Sequence, residues 1–173
     1  MTDPDQRLGD SADPDWEPKD PNDREHLAAM KRTGFWGKQG AGCIFLARNT
    51  GRLLIAHRSR KVEQPNTWGT WGGAIDSGED PETAVRREAR EEAGAAAAIV
   101  ALKPLFVFQS GSFRYSNFLA VVDHEFEPVL TWETQGYRWC PFGEWPNHLH
   151  FGLQAVLNDP ASTATIRQEL ATI

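Results

Sequence analysis

Residues 73–95 read GAIDSGEDPETAVRREAREEAGA, and residues 81–93 within this stretch have the spacing of a single helix. At about 100° per residue, Glu88, Glu91 and Glu92 fall within an arc of roughly 100°, because positions three and four apart are neighbours on a helix face. Val85, Ala89 and Ala93 form an adjacent stripe, small enough to let the helix lie close against a sheet, while Arg86 and Arg90 point to water. Gly72, Gly73 and Gly78 precede the helix and permit tight turns near a bound group, and Pro81 suits its first turn. The helix N-terminus there is suited to anionic oxygens.

Three carboxylates that close repel one another, so the site either takes up a proton or gathers a cation. An all-oxygen, carboxylate-rich set suits a hard cation, with Mg2+ first and Mn2+ second. Such an ion neutralises phosphate charge and lowers the pKa of a bound water, which points to hydrolysis of a phosphoanhydride. Arg87 lies one residue before Glu88 and four before Glu91, and is expected to orient the acid row by ion pairing.

With Gly73, five residues, Glu79, seven residues, then Arg87-Glu88, Glu91-Glu92 and Gly94, the stretch resembles the Nudix box. The two departures are mild: Ala89 and Ala95 stand where larger aliphatics are usual, and Trp71 where many members carry proline. The resemblance covers about residues 38–160. It implies a Nudix-type α/β/α sandwich with a mixed β-sheet, and metal-dependent hydrolysis of a nucleoside diphosphate linked to another moiety. By position it assigns the metal to Glu88, Glu91 and Glu92 and makes Glu79 a supporting acid. Members of the family often recruit a further acid from a later loop as ligand or base. Glu133, in LTWETQGYRW, is the candidate here, with Glu125 and Glu127 behind it.

On the substrate side, Arg58 and Arg60 follow a strand toward the PNTWGTWGG loop and suit phosphate pairing. With Arg58, Gly72 and Gly73, Trp68 is expected to contact substrate. Trp71, Phe35, Trp36 and Trp132 are further aromatic candidates for stacking a base, set against the ordinary use of aromatics in a core. His148 and His150 form an HxH pair without other clustered ligands, which reads as a packing or surface feature.

Outward from the box, GAGCIFLAR and RLLIAHR read as two strands joined at Asn49-Thr50-Gly51, and PNTWGTWGG as a loop entering the helix. IVALKPLFVFQ, FRYSNFLAVV and YRWCPF read as later strands, and HFGLQAVLND and STATIRQELA as terminal helices separated by Pro160. Strands, a central helix, strands and terminal helices make an α+β chain. Asn22–Thr33 has the pattern of a short helix capped by Asn22 or Asp23, with Gly34 past its end. A Nudix hydrolase domain is therefore expected over 34–173, behind an acidic arm, residues 1–33.

The formal charge of −6 sits in residues 1–25, which hold nine acids and three basic residues. The remainder is formally neutral and has no footprint for a nucleic-acid backbone, so duplex nucleic acid is a poor partner and a small-molecule nucleotide a better one. The first residues lack the basic start and apolar stretch of a secretory signal, and no run is long enough to span a membrane, so the cytoplasm is the expected compartment. Cys43 and Cys140 are expected to be core thiols. A homodimer is compatible with all of this. Two other readings compete: a non-catalytic sensing module for ADP-ribose or a similar nucleotide, expected to have lost acids that are all present here, and an RNA 5′-end pyrophosphohydrolase, which calls for a basic channel.

Overall fold

The computed structural model describes residues 21–35, 37–62, 64–94 and 98–173. The expected arm over residues 1–20 lies outside them, as do the side chains of Asn22 and Asp23, proposed above as helix caps. A helix is present where that spacing predicts it: α1 spans Pro21–Thr33, carries Lys31 and Arg32 in its last turn, and is followed by Gly34 at φ +82°.

Strands β1 (Gln39–Ala47) and β2 (Arg52–Arg58) form a hairpin that pairs only beside its turn, from Phe45–Ala47 to Arg52–Leu54. Beyond that they fork. The first half of β1 pairs instead with β4 (Trp71–Ala74), and the far end of β2 with the two-residue β3 (Trp68–Gly69). PNTWGTWGG, expected to be loop throughout, thus supplies two short strands, because its backbone groups lie against the unpaired edges of the fork and are satisfied there. Helix α2 (Pro81–Ala93) follows. Then β5 (Ile99–Ser110) and β6 (Phe113–Val122) form a second hairpin, with β6 parallel to β1, and β7 (Thr134–Pro141) runs along the other edge of β2. Pro104 is tolerated inside β5 because that strand is an edge and its pairing slips between Pro104 and Val107.

The period-two alternation of β1 divides the core. Ala41, Cys43, Phe45 and Ala47 face α2, meeting Ala84, Val85, Ala89 and Ala93. Ile44 and Leu46 face the opposite layer, meeting Leu153 and Val156 of α3 (Phe151–Asn158) and Ile166 of α4 (Pro160–Leu170). The architecture is the expected α/β/α sandwich around a mixed sheet. Pro160 is the first residue of α4, and Asp159 closes α3 with its backbone N–H while its carboxylate caps α4 at Ser162. Cys43 and Cys140 are buried and unpaired; burial pushes both thiols up, Cys140 to about 11. Among the described residues no helix is long and apolar enough to cross a membrane.

Candidate functional site

Helix α2 begins at Asp80, whose carboxylate accepts from the Thr83 N–H at 3.0 Å and the Thr83 hydroxyl at 2.8 Å. These bonds hold the carboxyl below its ordinary value. Gly94, at φ +86°, ends the helix with its N–H on the Arg90 carbonyl. A Cβ there would lie 3.0 Å from Val129 Cγ2, so the last fixed glycine of the motif serves both the stop and the packing. Between these ends, Arg87 organises the acids. Its guanidinium takes both oxygens of Glu79, at 2.9 and 3.0 Å, and donates to the Ala74 carbonyl at 2.9 Å, Glu88 Oε1 at 2.8 Å and Glu91 Oε2 at 3.2 Å. Arg87 holds the Glu79 carboxyl below its usual range, and Glu79 in turn raises the guanidinium.

Glu92 points the other way, into the molecule. It is 9% exposed, and its Oε2 accepts the Gly72 N–H at 2.8 Å. Burial first, then the charges of Glu133 and Glu88, drive its pKa well above the carboxylate range, against the Gly72 bond and the charge of Arg58. The two adjacent glycines allow two different close approaches. Gly72, at φ +153°, lies so close to β1 that a Cβ would meet the Ala41 carbonyl, and a Cβ on Gly73 would stand 2.7 Å from Glu88 Oε1. The acid row is thus graded: Glu92 buried, Glu88 13% exposed and Glu91 59% exposed. Among the described residues no three His, Cys, Asp or Glu side chains stand together in a geometry that would hold a metal.

Known proteins resemble the chain over the span that holds this helix and sheet. The NUDIX domain model matches residues 37–157. The chain belongs to the Nudix family. "Putative 8-oxo-dGTP diphosphatase 3" of Mycobacterium tuberculosis is 30% identical over 120 residues, covering 64% of this chain and 55% of the relative. The chain therefore spans about half the length of that relative. Among solved structures, the Nudix hydrolase RenU of M. smegmatis is 28% identical with a TM-score of 0.56, covering 80% of this chain and 89% of its own. The MutT NUDIX hydrolase of Burkholderia pseudomallei shares the fold at a TM-score of 0.60, 24% identity and coverage of 72% and 98%.

Around the Nudix box, later elements bring further groups to the acids. Glu133 lies in the turn before β7, held by the Ser59 N–H on its carbonyl at 2.8 Å, and its charge reaches Glu92. Glu125 is spoken for: Arg52 grips both its oxygens at 2.6 and 2.7 Å, at the far end of β2 from Arg58. Glu127 is exposed. Arg58 ends β2 where its pairing with β7 slips, and its charge is felt at both Glu92 and His150.

The aromatic candidates divide by location. Trp68 is half-buried and stacked on His57, ring centroids 4.3 Å apart, so one of its faces is already covered. Trp71 is core at 1% exposure, against Phe45, and its indole N–H is buried without a partner among the described residues. Phe35 stacks on Phe113 at 4.2 Å, Trp132 is exposed beside Glu133, and Trp36 lies outside the described residues. Of the HxH pair, His148 is exposed and His150 is built into the fold. His150 Nδ1 caps α3 on the Gly152 N–H at 3.0 Å, and burial followed by the Arg58 charge lowers its pKa to about 3, so it is neutral at ordinary pH.

Two groups at the site escape a reading of the box alone. Tyr115 of β6 crosses β1 at Gly40 and Gly42, where a Cβ would collide with its ring or hydroxyl, and bonds Thr70 beneath Gly72. The alternating Gly40-x-Gly42 was its trace in the sequence. Asp76, inside the box loop, receives His26 of α1 at 2.9 Å, fifty residues away, and no local pattern announces that contact.

Proposed function

We propose that this chain is a divalent-cation-dependent hydrolase that cleaves a diphosphate linkage in a nucleoside diphosphate joined to another moiety. The observation that carries the reading is Glu92, a buried carboxylate whose charge is opposed by burial and by Glu133 and Glu88. Like charges gathered around a buried acid are tolerated when a cation offsets them. The donors are all carboxylate oxygens, the chemistry that Mg2+ or Mn2+ prefers. By their positions in the motif Glu88, Glu91 and Glu92 are the residues that would hold it, and binding would have to draw together side chains that stand apart in this structure. When bound, the ion supplies charge neutralisation at the phosphates and a more acidic water.

The chain's own groups supply the rest. Gly72 fixes one oxygen of Glu92 through its N–H, and Gly73 leaves the space that Glu88 occupies. Arg87, tied to Glu79 by two bonds, keeps Glu88 and Glu91 oriented from the opposite side. Glu133 is the base that accepts the proton of the attacking water, and Arg58 pairs a phosphate at the rim. Trp68 pairs with His57, the residue before Arg58, where β3 meets β2. The catalytic unit is residues 34–173, acting on a small nucleotide in the cytoplasm.

The test is product release across nucleoside triphosphates including 8-oxo-dGTP, nucleotide sugars, ADP-ribose, dinucleoside polyphosphates and 5′-triphosphorylated RNA, with Mg2+ or Mn2+. Wild type is expected to cleave at least one of them, and Glu92→Gln to lose at least about a hundredfold in kcat. Glu133→Gln lowers kcat by roughly 10²–10⁴ if it is the base. Binding without cleavage under either metal would replace this reading with the sensing module.

A further inference from the structure

The match to the Nudix model begins at residue 37, and α1 lies before it. Yet α1 reaches into the box loop. His26 is buried at 5% exposure, with Nε2 2.9 Å from Asp76 Oδ1. An ionised carboxylate only accepts, so Nε2 is the donor. The other oxygen of Asp76 stands 3.6 Å from Arg87 Nε, and the Asp76 N–H donates to Glu79 Oε2 at 3.0 Å. One residue of the loop therefore touches the helix outside the matched span, the supporting acid and the arginine that orients Glu88.

The backbone closes over the same place. Gly37 donates to the His26 carbonyl at 3.4 Å, and Ile75 to the Gln39 carbonyl at 2.9 Å. Gly37, at φ +82°, is packed so that a Cβ would lie 3.0 Å from Ala74 Cβ and 3.4 Å from His26 Nδ1. The carbonyl of Ala74 is itself an Arg87 acceptor. Apolar packing gives α1 little purchase, because among its described side chains only His26 and Ala29 are buried. A buried imidazole costs free energy unless it is bonded, and the bond to Asp76 contributes to making this side chain favourable inside.

We infer that His26 is a positioning residue: α1 clamps Asp76 from outside the matched domain, and through Asp76 holds Glu79 and Arg87 in register with the acid row. The kinetic consequence rests on the proposed function; the clamp itself does not. Both are read in the full chain, as wild type, His26→Leu, His26→Gln, Asp76→Ala and the His26→Leu/Asp76→Ala double variant. Amide exchange over residues 75–79 is measured without substrate or metal, and kcat and KM on whichever substrate wild type cleaves.

His26→Leu is expected to speed exchange over 75–79 at least about tenfold while β1 and β6 keep their protection. It lowers kcat roughly ten- to a hundredfold, the size typical of groups that orient metal ligands, with KM within about twofold. Asp76→Ala reproduces both effects and the double variant adds nothing further. His26→Gln, whose amide N–H reaches the same acceptor, recovers most of the loss. If His26→Leu does not fold, the glutamine and Asp76 variants carry the comparison. Unchanged exchange over 75–79 in Asp76→Ala and in the foldable His26 variants overturns the clamp, as does a glutamine variant no better than leucine. A wild type that cleaves nothing counts against the proposed function, and the exchange measurement still decides the clamp.

Discussion

Glu79 just before α2 and Glu92 in its last turn are chemically identical side chains, and their surroundings drive them apart. Glu79 has both oxygens on Arg87 and is held ionised; Glu92 has a single N–H from Gly72 and two like charges nearby, and is pushed toward its protonated form. The sign for stability follows from linkage. A carboxyl whose folded pKa is raised contributes fully below its unfolded value, and loses that contribution as pH rises through the folded one. In chelator, the melting temperature of wild type relative to Glu92→Gln is therefore expected to fall as pH rises above the ordinary carboxylate range. Adding Mg2+ is expected to reverse the fall at the upper end for wild type alone, since a ligand bound only by the native state stabilises it. Melting curves that run parallel across this range would reject the assignment of Glu92 as the strained acid.

At the scale of the element, α2 works because two stripes with opposite demands share one helix. Ala84, Val85, Ala89 and Ala93 are buried against β1 and β4, and their small size sets how closely Glu88 and Glu92 approach Gly73 and Gly72. Ala89, where many relatives are larger by the family pattern, is 1% exposed here. Ala89→Leu is expected to destabilise by about 1–3 kcal/mol in denaturant unfolding, because a filled interface accepts added methylenes only by moving. It is also expected to lower kcat, since the helix that moves carries the acid row. A stable variant with full activity would mean that α2 has slack on the sheet. The helix itself was legible in local sequence, down to Pro81 at its start and Gly94 past its end, because capping and face periodicity are short-range properties.

For the whole molecule, the fork between β1 and β2 is the decisive feature. It lets β3 and β4 enter, which carries Gly72 and Gly73 to the acids and Trp68 to His57. The two faces of the sheet then have different duties. The α2 face positions chemistry, while Ile44, Leu46, Leu153, Val156 and Ile166 on the other face supply stability. Ile166→Ala, at a fully buried position of α4, is expected to cost about 2–5 kcal/mol by chemical denaturation. Its kcat at a permissive temperature should match that of wild type. A fall in kcat without a fall in stability would show that α4 communicates with the site.

The sequence by itself determined the helix of acids, the family to which its spacing belongs, the strands of both hairpins, the terminal helices and the burial of both cysteines. Each of these is written in periodicity or spacing over a dozen or so residues, where the chain interacts with itself locally. The tertiary structure decided which member of the row is buried and which remains on the rim. It also turned an apparent loop into two strands, set Trp71 in the core, and brought His26 to Asp76 and Tyr115 beneath Gly72. Those outcomes depend on backbone edges and side chains meeting from segments tens of residues apart, and no local pattern of the chain encodes which distant partner arrives.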